Sequence, residues 1–159
     1  MVFVTVGTQK FQFDRLLKAV DEAAGEGAFK GRVFAQTGHS TYKMAHCESE
    51  AFIDRDRFAD LMQEADLVIT HGGTGVIVAA VKQGKKVIAV PRRAAFGEHV
   101  DDHQAQIVSA FKEKGIICAL SDTANLKKAV RYAERHSFNG YESHTKDISD
   151  SIDGFLREM

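Results

Sequence analysis

The feature that most constrains the fold of this chain is a regular alternation of apolar segments with amphipathic segments of helical period. A segment such as DLVIT, at 66–70, is apolar throughout, as is typical of strands buried on both faces of a parallel sheet. Repeated strand-helix units of this kind predict an α/β fold, with a doubly wound parallel sheet covered by helices on both faces. The predicted strands are 2–6, 32–37, 51–53, 66–70, 86–90 and 116–120; the predicted helices are 13–24, 55–65, 75–83, about 101 to 115, and 123–136.

Length and composition limit the number of domains and the classes of function that are possible for this chain. A chain of 159 residues suits one domain, and a net charge of −1 gives no broad electrostatic reason to bind nucleic acid or a membrane. Cys47 and Cys118 fit no metal-binding spacing and indicate reduced thiols. The N-terminal segment lacks the pattern of a secretory leader, and no apolar stretch is long enough for a membrane span. These features predict a cytoplasmic protein.

The sequence HGGTG, His71 to Gly75, lies between a buried strand and the start of a helix. Unpaired N–H groups and the helix dipole make such a position suitable for an anion, and phosphate is the natural occupant. Glycine lets the backbone approach closely, while Thr74 can cap the helix or bind an oxygen and His71 can donate a further hydrogen bond. The alternative is a tight turn in which glycine is needed only for steric reasons and no ligand is bound. The loop matches neither a P-loop nor the GxGxxG pattern.

Two other loops are expected at the same edge of the sheet. Gly7 and Thr8 follow the first strand and could face the same ligand. The stretch FGEHVDDHQAQ, at 96–106, crowds polar residues at the start of a helix. His99 and His103 stand four residues apart, but the motif lacks the glutamate of HExxH and an assignable third ligand, so no metal is predicted. The side chains of His103 and Gln104 suit the hydroxyls of a sugar.

The pair Arg92 and Arg93 follows the fifth predicted strand. Such a pair could reach a phosphate or an anionic lipid headgroup, but adjacent arginines usually form a solvated edge. We therefore expect both side chains at the surface.

Three motifs, in order, resemble the donor-binding domain of family 28 glycosyltransferases. They are FVTVGTQKFQFDRLL, AFIDRDRFADLMQEADLVITHGGTGVIVAAVKQGKKVIAVPR and GEHVDDHQ. The resemblance covers about residues 2 to 120 and is greatest to single-domain subunits, as in the two-subunit N-acetylglucosaminyltransferase of dolichol-linked oligosaccharide synthesis and in bacterial exopolysaccharide and capsule assembly. It implies a Rossmann-like fold, the C-terminal half of a GT-B enzyme. Residues 1–136 would be the UDP-sugar-binding domain and 137–159 its C-terminal amphipathic helical extension.

The resemblance also implies roles for individual residues. The backbone after the third strand, at Phe52 and Ile53, would contact uracil, and the pair His103 and Gln104 would contact the donor sugar. The diphosphate would lie on the glycine loop. Many relatives bind ribose through an acidic residue where this chain has Ala79, so Glu98 or a backbone group would have to replace it. The implied catalytic residues are His71, His103 and Gln104; the implied substrate-binding residues are these three with Gly7, Thr8, Phe52, Ile53, Gly72, Gly73, Thr74, Gly75 and Glu98.

The function implied is that of a catalytic, donor-binding subunit in a two-component inverting glycosyltransferase that needs no cofactor. It would move a sugar from a UDP-sugar to a polyprenyl-diphosphate-linked acceptor, which a membrane-associated partner subunit would bring, so that this subunit stays cytoplasmic or peripheral to the membrane. The alternative is a non-catalytic nucleotide-binding or activating subunit of a membrane-associated transferase. A fragment related to UDP-sugar 2-epimerases ranks lower, because those enzymes need both halves in one chain.

The C-terminal segment carries an apolar stripe of Ile148, Ile152, Phe155 and Leu156. Such a stripe either packs on its own domain or docks a partner. If it docks the partner, deletion of 141–159 abolishes co-purification with that subunit and leaves UDP binding intact.

Overall fold

The computed structural model describes residues 1–140 and contains one six-stranded sheet in which every neighbouring pair of strands is parallel. The strand order is β3-β2-β1-β4-β5-β6. The strands are β1 (Val2–Thr5), β2 (Val33–Gln36), β3 (Glu48–Glu50), β4 (Leu67–His71), β5 (Lys86–Val90) and β6 (Cys118–Ala119). The helices are α1 (Asp14–Gly25), α2 (Arg55–Glu64), α3 (Thr74–Lys82), α4 (His103–Glu113) and α5 (Leu126–Arg135), with single 3₁₀ turns at Ala94–Phe96 and Thr123–Asn125.

The helices cover both faces of the sheet, as the sequence predicts. In β1, Val2 and Val4 point to the side packed by α1 and α5, whereas Phe3 points to the side packed by α2, α3 and α4. This alternation follows from the two-residue period of a strand. Burial on both faces explains why the inner strands read as continuous apolar runs, and the prediction of a doubly wound parallel α/β fold is confirmed.

The chain changes direction at β1. It runs outward from β1 through β2 to β3, then returns to form β4 on the other side of β1. In open parallel sheets, ligands bind beyond the carboxyl ends of the strands at such a switch point. Here that position lies between the loops that follow β1 and β4.

The predicted third strand is displaced. The sequence predicts a strand at 51–53, but β3 is Glu48–Glu50 and all three of its residues are exposed. It pairs with β2 at the edge of the sheet, and Gly38 N–H extends the pairing by donating to the Ala51 carbonyl at 2.8 Å. An edge strand that buries no side chain has no apolar pattern to reveal it.

Other element boundaries agree with the sequence prediction to within a few residues. Helix α4 starts at His103, two residues after the predicted start near Asp101. Before α5, the carboxylate of Asp122 accepts from Ala124 N–H and caps the 3₁₀ turn. Within residues 1–140, none of the helices is long and apolar enough to cross a bilayer. The predicted C-terminal helix, with Ile148, Ile152, Phe155 and Leu156, lies outside the described residues, and the division at 136 stays a prediction.

Candidate functional site

The loops after β1 and β4 meet around the imidazole of His71. A Cβ atom built on Gly73 would lie 2.3 Å from His71 Cε1, and one built on Gly7 would lie 2.8 Å from His71 Nε2. Gly7 also has φ of +80°, a conformation that favours glycine. Both glycines are therefore required by the ring that packs between them. Thr8, at the tip of the first loop, is exposed.

The N-terminus of α3 presents backbone donors at this position. Gly73 is the N-cap and supplies no side-chain cap, and the first bond into the helix is donated by Ile77 N–H to Gly73 O at 3.3 Å. Within residues 1–140, the N–H groups of Gly73, Thr74 and Gly75 have no protein acceptor. The partial positive charge of the helix end adds to these donors. The geometry suits an anion.

Thr74 does not cap the helix, although a capping role was one of the two expected from the sequence. Its Oγ1 atom is buried and has no hydrogen-bond partner within the described part of the chain. Thr74 is instead the first residue of α3, and its hydroxyl keeps an unused donor beside the start of the helix.

Gly72 differs from its neighbours in the loop. Its N–H donates to Gln104 Oε1 at 3.0 Å, so the protein already satisfies this group. Gly72 is needed for another reason, since a Cβ atom there would lie 2.7 Å from Gln104 Cβ. The expectation that all four residues from His71 to Thr74 turn their donors toward a diphosphate is therefore corrected at Gly72.

Gln104 is buried where a contact with the donor sugar was expected. Besides Gly72 N–H, its Oε1 accepts from Arg92 N–H at 3.1 Å, and its Nε2 lies 3.2 Å from His71 Nδ1. The side chain is 5% exposed. Its amide thus joins the loop after β4 to the end of β5, and the structure corrects the expectation of a sugar contact.

His71 is uncharged at physiological pH. Burial lowers the pKa of its imidazole from 6.5 to about 3, and the nearby Arg92 guanidinium contributes in the same direction. The ring is therefore a neutral hydrogen-bonding group in an otherwise electropositive corner.

Arg92 is a buried structural residue, and the expectation of a solvated arginine pair is wrong for it. Its guanidinium is enclosed by backbone carbonyls of the loops after β1 and β5, and it lies over the Phe13 ring, 5.0 Å from the centroid. Burial lowers its pKa to about 10, so it keeps its charge at neutral pH. Its side chain donates to the carbonyls of Phe11 at 3.1 Å, Gln12 at 3.1 Å, Glu98 at 3.0 Å, and Val6. Arg93, by contrast, is 43% exposed.

Glu98 is also turned inward. Its carboxylate pairs with Arg15 through two contacts of 3.0 Å and accepts from Arg93 N–H at 3.0 Å, and the residue is 1% exposed. These bonds occupy both carboxylate oxygens. The expectation that Glu98 replaces the missing ribose contact is therefore corrected.

His103 keeps a free ring atom. It is the first residue of α4, where its N–H donates to Asp101 Oδ1 at 3.1 Å. Its Nδ1 is buried and has no partner among residues 1–140, while its side chain is 24% exposed. Of the two residues expected at the donor sugar, His103 is the one with an unsatisfied polar atom. No group of three or more His, Cys, Asp or Glu side chains in this range could hold a metal.

The residues expected at uracil lie on the segment after β3. Phe52 is 51% exposed, and the edge of its ring meets His39 with centroids 5.1 Å apart. Ile53 is half-buried and packs against the core on the α2 side. The segment lies on the β2 side of β1, whereas His103 lies on the β5 side, so the two expected ligand ends are on opposite sides of the glycine loop.

Arg15 and Arg92 are the positioning residues that sequence reasoning missed. Both act through atoms on distant segments, so no local motif marks them. One available signal was the place of Arg92 directly after Pro91, at the end of a fully buried strand, where a side chain can still turn back into the interior.

Comparisons with known proteins agree with the sequence resemblance. The sequence profile of the glycosyltransferase family 28 C-terminal domain matches residues 1–153. The chain is 29% identical over 123 residues to the human UDP-N-acetylglucosamine transferase subunit ALG13, which is 72% of this chain and 10% of that protein. It is 39% identical over 59 residues to the subunit of the same name from Candida glabrata, 37% of this chain and 28% of that protein. The chain thus spans well under half the length of these curated relatives.

Solved structures share the fold at low sequence identity. The NMR solution structure of ALG13 has a TM-score of 0.63 at 18% identity, covering 95% of this chain and 94% of that one. The crystal structure of the glycotransferase of kitacinnamycin has a TM-score of 0.60 at 15% identity, covering 99% of this chain and 39% of that one. The Rossmann-like fold expected from the sequence is confirmed.

Proposed function

Because the chain belongs to the glycosyltransferase family 28 C-terminal domain family, we propose that it is the donor-binding, catalytic subunit of a two-component inverting glycosyltransferase. The donor is a UDP-sugar, and UDP-N-acetylglucosamine is the first candidate because two relatives are named as subunits of its transferase. The acceptor is a polyprenyl-diphosphate-linked sugar. A membrane-associated partner subunit brings this acceptor and holds the cytoplasmic catalytic subunit at the membrane surface.

The observation that carries the proposal is the set of free donors at the start of α3. Gly73, Thr74 and Gly75 direct N–H groups that have no acceptor in the described part of the chain to a switch point of the sheet. A diphosphate placed there would accept from these groups and from the hydroxyl of Thr74. Uracil would then extend toward Phe52 and Ile53, and the sugar toward His103.

These donors also suit the chemistry of transfer. As the bond between the anomeric carbon and the diphosphate breaks, negative charge grows on the leaving oxygen. Fixed N–H groups at a helix end stabilise such charge without reorganising. An acceptor hydroxyl that attacks from the opposite side inverts the anomeric centre and needs a general base there. We assign that base to the face supplied by the partner subunit.

A matched pair of substitutions at Gly75 tests the site. This glycine is exposed, and a Cβ atom built on it meets no atom within 4 Å, so either side chain can be accommodated. Gly75→Asp places a negative charge in the first turn of α3, which stabilises the helix by about 0.5 kcal/mol but repels a diphosphate. Gly75→Asn has nearly the same shape without the charge.

Titration calorimetry with UDP should show binding at least about tenfold weaker for Gly75→Asp than for Gly75→Asn, while urea unfolding shows the aspartate variant no less stable. Equal UDP affinities would show that no diphosphate lies at this turn. Gly73→Asp is expected to abolish binding, but it also displaces His71 and is therefore the less specific test.

One observation favours the alternative, a non-catalytic nucleotide-binding or activating subunit. The family resemblance implies an acid that binds ribose at the position of Ala79, and the carboxylate of Glu98 is not available to replace it. The two functions are separated by co-expression with the membrane subunit and a transfer assay with a lipid-linked acceptor. Loss of transfer in Gly75→Asp supports the catalytic role, whereas full transfer without UDP binding by this subunit supports the alternative.

A further inference from the structure

The orientation of the Gln104 amide is fixed by its neighbours. Two backbone N–H groups, those of Gly72 and Arg92, donate to one side-chain atom at 3.0 and 3.1 Å. An amide nitrogen cannot accept these bonds, so this atom is the carbonyl oxygen Oε1. The amide nitrogen therefore faces His71 Nδ1, at 3.2 Å.

This orientation decides where His71 carries its proton. The amide nitrogen of Gln104 has only hydrogens to offer, so His71 Nδ1 must accept and present its lone pair. In a neutral imidazole the other ring nitrogen then carries the hydrogen. His71 is thereby set as the tautomer protonated at Nε2.

Nε2 is the ring atom that lies between the two glycine-containing loops. The Cβ positions of Gly7 and Gly73 fall 2.8 and 2.9 Å from it. Within the described residues, no acceptor is bonded to Nε2. The N–H at Nε2 is thus directed at the same corner as the free N–H groups at the start of α3.

We propose that Gln104 is a positioning residue that locks His71 as the Nε2–H tautomer, so that His71 donates to the diphosphate together with the start of α3. A lone pair at Nε2 would instead repel a phosphate oxygen. Gln104 acts through His71 and does not itself contact the ligand. The inference about the ligand rests on the proposed function, whereas the tautomer is a property of the protein alone.

The tautomer can be measured without any ligand. Two-bond ¹H–¹⁵N correlation spectra of the ¹⁵N-labelled full chain distinguish Nδ1–H, Nε2–H and doubly protonated rings, and His71→Asn identifies the His71 signals. We expect the Nε2–H pattern throughout pH 5 to 8. An Nδ1–H pattern, or a ring that becomes doubly protonated within this range, would overturn the proposal whatever the protein binds.

Gln104→Glu is the informative variant. One carboxylate oxygen can still accept from Gly72 and Arg92, while the other places an acceptor opposite His71 Nδ1 and draws the proton there. Gln106→Glu is the matched control, because Gln106 is exposed on the same helix two residues away. We expect Gln104→Glu to change the His71 pattern and Gln106→Glu to leave it unchanged. A His71 pattern that stays Nε2–H in Gln104→Glu would contradict the proposal.

UDP binding supplies a readout that a merely structural role would not produce. In Gln104→Glu at pH 8 we expect UDP to bind about tenfold more weakly, because Nε2 then presents a lone pair. The loss should shrink toward pH 6, where the carboxylate favours a doubly protonated ring that can donate again. A loss of UDP affinity that does not depend on pH would contradict the proposal and show that Gln104 only holds the loop in place. If the wild-type protein has the Nε2–H tautomer but binds no UDP, the proposed function fails and the tautomer lock stands.

Discussion

Arg15 and Glu98 form a two-pronged ion pair that ties α1 to the loop after β5. Arg15 Nε lies 3.0 Å from Glu98 Oε2, and Arg15 Nη2 lies 3.0 Å from Oε1. The arginine is 21% exposed and the glutamate 1%. Such bidentate pairs fix geometry as well as charge. The pair therefore holds the loop that carries Arg92 and leads to His103.

Removing the cation of this pair should lower the free energy of unfolding by more than the intact pair contributes to it. Arg15→Met keeps most of the apolar stem but leaves the buried carboxylate without its bidentate partner, and we expect a loss of about 3 kcal/mol in the free energy of unfolding by urea. Arg15→Met with Glu98→Gln should be less destabilised than Arg15→Met alone. Arg93→Met is the control, since its exposed side chain lies 3.8 Å from Asp102 and should contribute under about 0.5 kcal/mol. Additive effects of Arg15→Met and Glu98→Gln would mean that the pair is not coupled.

Gly73 and Gly75 should respond oppositely to the same substitution. A methyl group at Gly73 would meet the His71 ring at 2.3 Å, whereas one at Gly75 meets nothing. We expect Gly73→Ala to lower the free energy of unfolding by about 1 to 3 kcal/mol through this clash. Gly75→Ala should leave it unchanged or raise it by up to about 1 kcal/mol, because alanine favours the helix. Equal stability of the two variants, measured by urea unfolding, would show that the ring moves freely out of the way.

The sequence predicts the strands of the sheet well, but it does not predict the long-range hydrogen bonds of Gln104 and Arg92 around the site. Burial on both faces imposes a local apolar pattern, so β4 and β5 were predicted within a residue or exactly where they lie. The bonds of Gln104 reach residues 33, 32 and 12 positions away. Three of the four side-chain bonds of Arg92 reach back 80 to 86 positions. Such contacts depend on how loops meet after folding. Local residue types could place Gln104 and Glu98 at the site edge but could not show that they face inward.

His71 should make the protein less stable as the pH falls. Its pKa is about 3 in the folded state and 6.5 when unfolded, so between these values the unfolded chain binds more protons. The free energy of unfolding should therefore fall with decreasing pH below 6.5, by up to about 1.4 kcal/mol per pH unit from this group. His71→Asn removes this pH dependence. Relative to wild type, the free energy of unfolding of the variant should therefore rise from pH 7 to pH 4. His39→Asn, at an exposed position, is the control for the loss of a histidine.

Asp21 should also make the protein less stable as the pH falls, but in a more acidic range than His71. Burial alone would raise the pKa of its carboxyl, but bonds from Ala45 N–H, His46 N–H and the Tyr42 hydroxyl outweigh burial and hold the pKa below 3.8. A lowered folded pKa means that the stabilisation is fully present above about pH 5 and is lost as the pH falls through the folded pKa. The stability difference between wild type and Asp21→Asn should narrow from pH 5 to pH 3. The matched change at exposed Asp60 is the control. A stability difference that does not change with pH for Asp21→Asn would show that these bonds do not depend on the charge of Asp21.

Ala79 offers a gain-of-function test of the nucleotide orientation. Gly75, Ala79 and Lys82 share the side of α3 that faces away from its buried residues, so Ala79 lies one turn beyond the free N–H groups. If the diphosphate binds at those groups with its ribose beside α3, Ala79→Glu supplies a carboxylate that can accept from both ribose hydroxyls, and UDP should bind about fivefold to tenfold more tightly. Calorimetry with 2′-deoxy-UDP should show a smaller gain, and Ala79→Gln a weaker effect on UDP. Weaker binding of both nucleotides by Ala79→Glu would place the ribose elsewhere, since the new charge would then only repel the diphosphate.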